Sequence, residues 1–446
     1  MTKETTLVLD GAPEPAHLKR TGFATTLKPT VLVATTDRWY PTARLAMALA
    51  TAGCVVEGVC PSGHPLSKTQ AVLRTHDYNG LRPLMSLTQA ISATKPTAII
   101  PGDDLATWHL HELYNRELSR GKIGSYICRL IEYSLGAAEG FAVVRARSAL
   151  MQLAREEGVR APETEVVTSK DSLLDCISRM GFPTVLKANG TSGGDGVEVV
   201  HTVEDAERAF RKLQSPPVLA RAVKRALIDR DLRLLWPSLS RHRHMVNAQA
   251  FISGREATST IACWKGSVLA SLHFEVLEKV GATGHATVVR SIEHPEMSSA
   301  AEKISRRLKL SGLYGLDFML EAPTGNAFLI EINPRTTQVG HLALGLGRDL
   351  PAALYAAMTG RDVQPAPKIT ENDTVTLFPQ EWKRDPASTY LKSGYHDVPW
   401  QEPELVRDCI RTARTHSRWF SQRELPFRSF TPAAQTSAVH SRSESA

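Results

Sequence analysis

Cysteine is scarce in this sequence, and its few copies are scattered. Only six of the 446 residues are cysteines, with no CxxC pair and no histidine beside them at metal-ligand spacing. The spacing argues against both a thiolate zinc site and a disulfide framework. We expect all six to be reduced thiols, most of them buried.

The sequence also lacks any long hydrophobic run. Residues 1–20 mix charged residues with proline and contain no apolar segment of the kind found in a signal peptide. The apolar run at 45–50 is far too short to span a bilayer. We therefore expect a cytoplasmic protein without a membrane partner.

Charge of one sign is not concentrated in the chain. The formal charge of +7 arises from 53 basic residues spread among 46 acidic ones, without a zinc knuckle, a row of stacking aromatics or a helix-turn-helix pattern. We therefore expect no nucleic-acid partner. A basic balance suits anionic small molecules, because a positive cleft concentrates nucleotides and carboxylates.

The composition that is present is typical of a globular protein with more than one domain. Hydrophobic residues make up 42% and charged residues 22%, and 446 residues exceed what one hydrophobic core organises. The predicted divisions are an N-terminal extension (1–29), an α/β domain (30–140), a second domain (141–362) with a basic insertion (215–246), a C-terminal region (363–430) and a disordered tail (431–446).

Parallel α/β structure is predicted for the first domain. An apolar strand at 30–34 is followed by a helix that begins at Pro41 and ends at Gly53, and further buried strands lie at 54–60 and 98–101. Ligands bind where such strands end. No GxGxxG motif follows the first strand, so we expect the nucleotide to bind elsewhere.

Two polar segments have alternative interpretations. Asp103 and Asp104 follow the strand at 98–101, where they could contact a substrate amine or cap the next helix, and the cap is favoured. The basic stretch at 215–244 is either a solvated helical insertion or a lid that touches phosphate or carboxylate groups.

A glycine-rich loop lies between two predicted strands of the second domain. Four glycines occupy the seven positions from Gly190 to Gly196, and Lys187 lies on the preceding strand. Backbone N–H groups of such a loop can approach phosphate oxygens without obstruction by Cβ atoms. It is not a Walker loop, because the lysine precedes the glycines. Taken alone, the loop is equally consistent with a phosphate-binding flap and with a structural hairpin.

A β-hairpin is predicted near the end of the second domain. With its turn near Thr324, Asp317 falls opposite Glu331, and strand alternation places Asn333 on the same face. Two such carboxylates repel by about 3 kcal/mol at an effective dielectric constant of about 20, so we expect Mg²⁺ to bind between them. On this argument, Glu331→Gln leaves the metal-free protein at least as stable as the wild type. Arg335 adds a cation for a phosphoryl group or a carboxylate.

Together with a strand that leads to Gln249 and to the carboxylate of Glu256, these motifs resemble the ATP-grasp superfamily, in the branch containing biotin carboxylase, the large chain of carbamoyl-phosphate synthase and D-alanine:D-alanine ligase. The resemblance covers about residues 147–360. It implies a Rossmann-like pre-ATP-grasp domain followed by an α+β ATP-grasp domain, with a small C-terminal region. Gln249 stands where the family often has Glu, and Asp317 where Glu is usual, and both can still bind through oxygen.

The resemblance also implies roles for individual residues. Arg147 and Lys187 meet the nucleotide phosphates, and the glycine-rich loop closes over the phosphates. The segment from Gln249 holds adenine, and Glu256 binds the ribose hydroxyls. The implied cofactor-binding residues are Arg147, Lys187, Gly193, Gly194, Gly196, Gln249, Phe251, Ile252 and Glu256; the implied metal ligands are Asp317, Glu331 and Asn333; and the implied catalytic residues are Lys187, Arg335 and Arg290.

The implied reaction is an ATP-dependent ligation. ATP and Mg²⁺, with Mn²⁺ as an alternative ion, activate a small-molecule carboxylate as an acyl phosphate, which an amine or another nucleophile attacks, leaving ADP and phosphate. Two other activities stay open, those of a non-catalytic ATP-binding regulatory protein and of an ATP-grasp kinase. A homodimer also stays open.

Overall fold

The computed structural model describes residues 28–122, 124–189, 196–215, 245–362, 364 and 366–417, with side chains up to residue 411. Several sequence predictions fall outside these residues, among them Gly193 and Gly194, most of the basic insertion, the disordered tail and nearly all of the N-terminal extension. None of the described helices is both long enough and apolar enough to cross a membrane. All six cysteines are described, and they are free and buried as predicted.

The first unit of the fold is a four-stranded parallel sheet with the strand order β3-β2-β1-β4. Its strands are β1 (Thr30–Ala34), β2 (Val55–Cys60), β3 (Val72–Asp77) and β4 (Ala98–Pro101), and its helices are α1 (Tyr40–Thr51), α2 (Pro83–Thr94), α3 (Asp104–Ser119) and α4 (Tyr126–Leu135). The three predicted strands and the first helix lie where the sequence placed them. Central strands such as β1 are continuous apolar runs because helices pack on both faces of a parallel sheet.

Asp103 caps α3 and also fixes the loop that follows β1. Its carboxylate accepts hydrogen bonds from the Ala106 backbone nitrogen at 2.9 Å, from the Thr35 hydroxyl at 2.7 Å and from the Thr36 backbone nitrogen at 2.5 Å. The helix-cap interpretation is therefore confirmed for Asp103. Asp104 occupies the first position of the helix and has a different partner.

The loss of Asp103 is expected to destabilise the protein more than the loss of an ordinary helix cap. Asp103→Ala leaves several buried donors without an acceptor, which predicts a loss of about 2–4 kcal/mol in the free energy of unfolding. Thr202→Ala is the matched control, because the Thr202 hydroxyl caps its helix by accepting one hydrogen bond, from the Asp205 backbone nitrogen at 3.1 Å. Its loss should cost about 1 kcal/mol. Urea unfolding measures both. Equal losses in the two variants would show that the additional bonds of Asp103 contribute nothing.

The second unit contains a smaller antiparallel sheet with the order β5-β8-β6-β7. Its strands are β5 (Thr164–Val167), β6 (Thr184–Ala188), β7 (Val197–Val200) and β8 (Val246–Ala250), and the helices around it are α5 (Phe141–Arg145), α6 (Arg147–Glu156), α7 (Lys170–Met180) and α8 (Val203–Gln214). Leu186 and Ala248 belong to the core formed with α7 and α8. Since strand residues alternate, the polar residues between them are turned to the opposite face.

A seven-stranded sheet with the order β13-β12-β9-β10-β11-β14-β15 forms the centre of the molecule. Its strands are β9 (Gly254–Trp264), β10 (Ser267–Lys279), β11 (Ala286–Ser291), β12 (Gly312–Glu321), β13 (Ala327–Asn333), β14 (Thr374–Thr376) and β15 (Tyr395–His396), with α9 (Pro295–Leu308) and α10 (Leu350–Thr359) beside it. On one face, Ile261 and Leu316 pack with Ile304 of α9. On the other, Leu272 packs with Leu354 of α10. We call these the α9 face and the α10 face.

The C-terminal segment joins the first sheet to the large one. Besides β14 and β15 it contains α11 (Gln380–Arg384), α12 (Tyr390–Ser393) and α13 (Pro403–Ser417). Trp382 and Leu405 pack against Tyr40 and Met47 of α1, and β14 pairs with β11. The C-terminal segment therefore packs onto the body of the protein. Trp382 is 4% exposed, whereas Trp400, in the turn before α13, is 54% exposed.

Candidate active site

The predicted hairpin forms between β12 and β13 in the predicted register. Asp317 lies opposite Glu331, and Asn333 follows on the same strand at a spacing of two. Leu316 and Phe318 belong to the core of the α9 face. Asp317, which lies between them, is therefore turned to the α10 face, where the two carboxylates and the amide come together.

Asp317 is held by two hydrogen bonds. The Thr258 hydroxyl donates to Oδ1 at 2.9 Å, and the Asn333 amide nitrogen donates to Oδ2 at 2.8 Å. Burial, together with the negative charge of Glu331, raises the pKa of Asp317 from its usual 3.8 to about 6. A cation bound here would therefore stabilise the ionised carboxylate.

Glu331 is neutralised by the protein itself. Arg147, at the start of α6, donates a charge-assisted hydrogen bond to Glu331 Oε1, and its other terminal nitrogen donates to the Ala188 carbonyl at 3.1 Å. Burial would raise the pKa of Glu331, but the charges of Arg147 and Lys187 outweigh it and lower the pKa. The premise that Glu331 lacks a neutralising partner is therefore wrong, and we now expect Glu331→Gln to destabilise the metal-free protein, because the variant deprives Arg147 and Lys187 of a counter-charge.

Lys187 lies on the polar face of the small sheet. Its side chain is 6% exposed, and burial lowers the pKa of Lys187 to about 8, although the charge of Glu331 acts in the opposite direction. The charges of Asp317 and Glu256 act on it as well. Lys187 therefore faces carboxylates of the large sheet, in a position where it could also meet a polyanion.

The segment after β8 crosses from the small sheet to the large one. Gln249 is 2% exposed, and its amide nitrogen donates to the Thr164 hydroxyl at 3.0 Å. The pairing of β8 with β6 puts Gln249 on the same face as Lys187. Phe251 is 40% exposed, and Ile252 is partly buried. The predicted adenine-binding residues thus form the hinge between the two sheets.

Glu256 and Gly196 lie at two borders of this region. Glu256 Oε1 accepts a hydrogen bond from Lys279 Nζ at 2.5 Å, and 40% of the Glu256 side chain is exposed. Gly196 has a φ of +80°, which a residue with a Cβ rarely adopts. Its carbonyl accepts from the Ala188 nitrogen at 2.9 Å. The end of the predicted flap is therefore fixed beside β6.

The two predicted catalytic arginines lie in different places. Arg335 follows the hairpin, and its Nε is 3.4 Å from Asp104 Oδ2. Arg290 is exposed, and it follows Val289, which belongs to the core of the α10 face. Arg290 is therefore turned to the α9 face, away from Asp317, and the structure does not bring it to the other site residues.

Three residues of this region were missed in the sequence, namely Thr258, Asn247 and Lys279. Thr258 follows Glu256, and Asn247 precedes Gln249, each at the spacing of two that places strand residues on one face. Extending the alternation by one step would have found both. Lys279 reaches Glu256 from another strand, and no local signal identifies it.

The oxygens of the hairpin suit a hard divalent cation. Asp317, Glu331 and Asn333 offer carboxylate and amide oxygens, the ligand types that Mg²⁺ prefers. Among the described residues, no three His, Cys, Asp or Glu side chains converge on a metal site. A cation held here would therefore complete its coordination with phosphate oxygens or water.

Part of the chain is similar to a known family of sequences. Residues 145–345 match a model described as the carbamoyl-phosphate synthase L chain, ATP binding domain. A carbamoyl phosphate synthase large chain from Gemmatimonas aurantiaca is 23% identical over 261 residues, which are 57% of this chain and 22% of that protein. An acetyl-CoA carboxylase from Dictyostelium discoideum is 25% identical over 210 residues, which are 46% of this chain and 8% of that protein. This chain therefore spans about a fifth or less of the length of these relatives.

Solved structures have a similar architecture. The biotin carboxylase domain dimer of 2-oxoglutarate carboxylase from Hydrogenobacter thermophilus, in complex with ADP, its magnesium salt and bicarbonate, matches with a TM-score of 0.53 and 13% identity over 76% of this chain and 71% of that chain. A carboxyaminoimidazole ribonucleotide synthase from Aspergillus clavatus, complexed with ATP, matches with a TM-score of 0.52 and 14% identity over 76% and 78%. At these identities the likeness concerns the fold, and it covers more of the chain than the family model does.

Proposed function

We propose that this chain, whose residues 145–345 belong to the ATP-grasp superfamily, is an ADP-forming carboxylate–amine ligase. It activates a small-molecule carboxylate as an acyl phosphate with ATP and transfers the acyl group to an amine or another nucleophile. The names of the relatives and structural neighbours, which are synthases and carboxylases, support an ATP-dependent enzyme.

One arrangement carries the proposal. The oxygens of Asp317, Glu331 and Asn333 lie together on the large sheet, and the charges of Lys187 and Arg147 oppose them. When bound, Mg²⁺ would neutralise the β- and γ-phosphates and favour attack at the γ-phosphorus. Lys187 would meet the same phosphates. In this structure Glu331 forms an ion pair with Arg147. If Glu331 instead bound the metal, the guanidinium of Arg147 would become available to the nucleotide phosphates.

The rest of the nucleotide fits the hinge between the sheets. The amide nitrogen of Gln249 is engaged by Thr164, so its oxygen would accept from the adenine amino group, beside Phe251 and Ile252. Glu256 would accept from the ribose hydroxyls, with Lys279 fixing its carboxylate. Gly196 is the described residue at the end of the proposed flap. Gly193 and Gly194, which we assign to the same flap from the sequence, lie outside the described residues.

The first sheet would act as the Rossmann-like pre-ATP-grasp domain. We propose residues 30–140 for it, 141–362 for the ATP-grasp domain and 363–430 for the C-terminal region. The strand order β3-β2-β1-β4 supports this division, and so does the contact in which the Thr107 hydroxyl donates to the Pro334 carbonyl at 2.7 Å. The contact places the start of α3, which follows β4, beside the residue that precedes Arg335, where the acyl phosphate would meet its nucleophile.

The acyl-phosphate route predicts the nucleotide product. Turnover should yield ADP and phosphate in equal amounts, because attack occurs at the γ-phosphorus. The measurement is nucleotide chromatography after incubation with Mg²⁺, ATP and pooled amino acids and other carboxylates, with mass spectrometry of the organic product. Accumulation of AMP and pyrophosphate would contradict the route.

The same assay separates the two alternative functions. A regulatory ATP-binding protein would bind Mg²⁺ and ATP without releasing ADP in the presence of any substrate pool. An ATP-grasp kinase would release ADP, but its product would gain the mass of a phosphoryl group. A ligase instead joins two substrates with the loss of water overall.

A further inference from the structure

Beside the hairpin, Arg335 forms an ion pair with Asp104, a residue to which the proposed reaction gives no role. Asp104 Oδ2 is 3.4 Å from Arg335 Nε, with the two side chains 22% and 14% exposed. The Arg335 guanidinium carbon lies 5.0 Å from the centroid of the Trp39 ring. Trp39 follows β1 and Asp104 follows β4. The strand ends of the first sheet and the end of the hairpin therefore hold one cation between a carboxylate and an aromatic ring.

Other residues supply the side-chain cap of α3 and a hydrogen bond from α3 to the end of the hairpin. Asp103 already caps α3 through the Ala106 nitrogen, and the Thr107 hydroxyl already joins α3 to the hairpin through Pro334. Asp104 is therefore neither the side-chain cap of α3 nor the hydrogen-bond donor to Pro334. Burial raises the pKa of Asp104, and Arg335 counteracts the shift, so the ionised form depends on a neighbouring cation.

We propose that Arg335 occupies the place of the nucleophile's ammonium group, and that Asp104 binds this group and removes its proton. The inference rests on the proposed function and names the nucleophile as a primary amine that is protonated in solution. A carboxylate and an aromatic face are the two groups that together recognise such a cation. Trp39 would supply the aromatic face.

A movement of Arg335 would vacate the place. Its Nη2 already lies 3.5 Å from Asn333 Oδ1, which directs one end of the guanidinium toward the hairpin. An acyl phosphate formed beside Glu331 carries negative charge and would attract Arg335 further. The amine would therefore enter after activation of the carboxylate.

The ammonium group gives one proton to the Asp104 carboxylate and becomes a neutral amine. Its nitrogen lone pair attacks the carbonyl carbon of the acyl phosphate and forms the C–N bond. The bond between the carbonyl carbon and the phosphate oxygen breaks, and phosphate leaves with that electron pair. The second nitrogen proton passes to the departing phosphate.

Hydroxylamine separates this role from the activation step. It is largely unprotonated at neutral pH, so it attacks an acyl phosphate without needing a base. The assay uses Mg²⁺, ATP and the pooled carboxylates, once with hydroxylamine and once with a pool of primary amines. Asp104→Asn should lower amide formation at least about 100-fold while hydroxamate formation stays within about threefold of wild type. Trp39→Leu should raise KM for the amine more than it lowers kcat.

Glu112→Gln is the matched control, since Glu112 lies on the same helix, is 62% exposed and lies 3.8 Å from His109. It should leave both products unchanged. If Asp104→Asn formed amide at the wild-type rate, the inference about Asp104 would be overturned while the proposed function would stand. The same conclusion would follow if a variant with a wild-type melting temperature lost amide and hydroxamate formation equally. Failure of the wild type to release ADP or form hydroxamate with any carboxylate would overturn the proposed function and this inference with it. Partial recovery in Asp104→Glu would support the role as a base.

Discussion

Glu331→Gln is expected to lose essentially all turnover and most of the thermal stabilisation that Mg²⁺ and ATP together give the wild type. A ligand pair present at about 100 times its Kd stabilises the folded state by about 2.7 kcal/mol. Glutamine keeps the shape of the side chain but removes a charged metal ligand. The variant should therefore melt at nearly the same temperature with both ligands as with neither.

The metal-free variant is expected to be less stable than the metal-free wild type. Glu331 is the counter-charge of Arg147 and also acts on Lys187, and both cations are buried. Loss of a charged acceptor that leaves a buried donor without its partner costs about 1–3 kcal/mol. Relief of the repulsion with Asp317 offsets only part of this loss, because Asp317 keeps its bonds from Thr258 and Asn333.

Thermal melts across the four combinations of Mg²⁺ and ATP test both the lost ligand-induced stabilisation and the lower stability of the metal-free variant. Glu321→Gln is the control, since Glu321 lies at the turn end of the same hairpin and accepts from the Thr324 hydroxyl at 2.6 Å. It should keep the full ligand-induced shift. If Glu331→Gln kept it too, Glu331 would not be a metal ligand and the proposed site would have to be withdrawn.

Lys187→Met is expected to abolish turnover and to weaken ATP binding at least about tenfold, which corresponds to about 1.4 kcal/mol. Methionine keeps the apolar stem and removes the charge that would meet the phosphates. The fold should persist, because the charge that is removed is 6% exposed and its burial is itself unfavourable.

The pH dependence gives a second readout for Lys187. Its pKa is lowered from 10.5 to about 8 in the folded protein. Between these values the unfolded chain binds more protons than the folded one, so this group makes stability rise with pH across that window. ATP binding should fall above pH of about 8 for the same reason, because the cation is lost. Lys187→Met should lack both trends.

Isothermal titration of ATP and urea unfolding between neutral and alkaline pH measure these trends. Lys212→Met is the control, since Lys212 lies on α8 of the same unit, is 70% exposed and pairs with Glu198 at 2.5 Å. It should bind ATP as the wild type does. Unchanged nucleotide affinity and turnover in Lys187→Met would remove Lys187 from the proposed site.

Local pattern was sufficient where a strand has one distinctive face. Around Asp317, large apolar residues on both sides alternate with the carboxylate, and a short polar turn fixes the opposite strand. The register that sets Asp317 opposite Glu331 therefore followed from the sequence. The strand of Lys187 and the strands of the first sheet were found in the same way, because their lengths and boundaries are set by nearby residues.

Local pattern was insufficient where both faces of a strand are buried. In β11, Thr287, Val288 and Val289 are all buried, so alternation gives no information on the face of Arg290. Only the packing of Val289 with the α10 core places Arg290 on the other side. The sequence itself therefore did not determine the face of Arg290, whereas it did determine the α/β order, the glycine loop and the hairpin oxygens.

The partners of the charged residues were decided by the tertiary structure. Arg147 and Glu331 are separated by 184 positions, and Asp104 meets Arg335 from another unit of the fold. Spacing rules reach only a few residues along one strand or helix. Which cation neutralises a carboxylate depends instead on how the sheets pack, and that packing distinguishes a repelling pair of acids from a site in which each acid has its own partner.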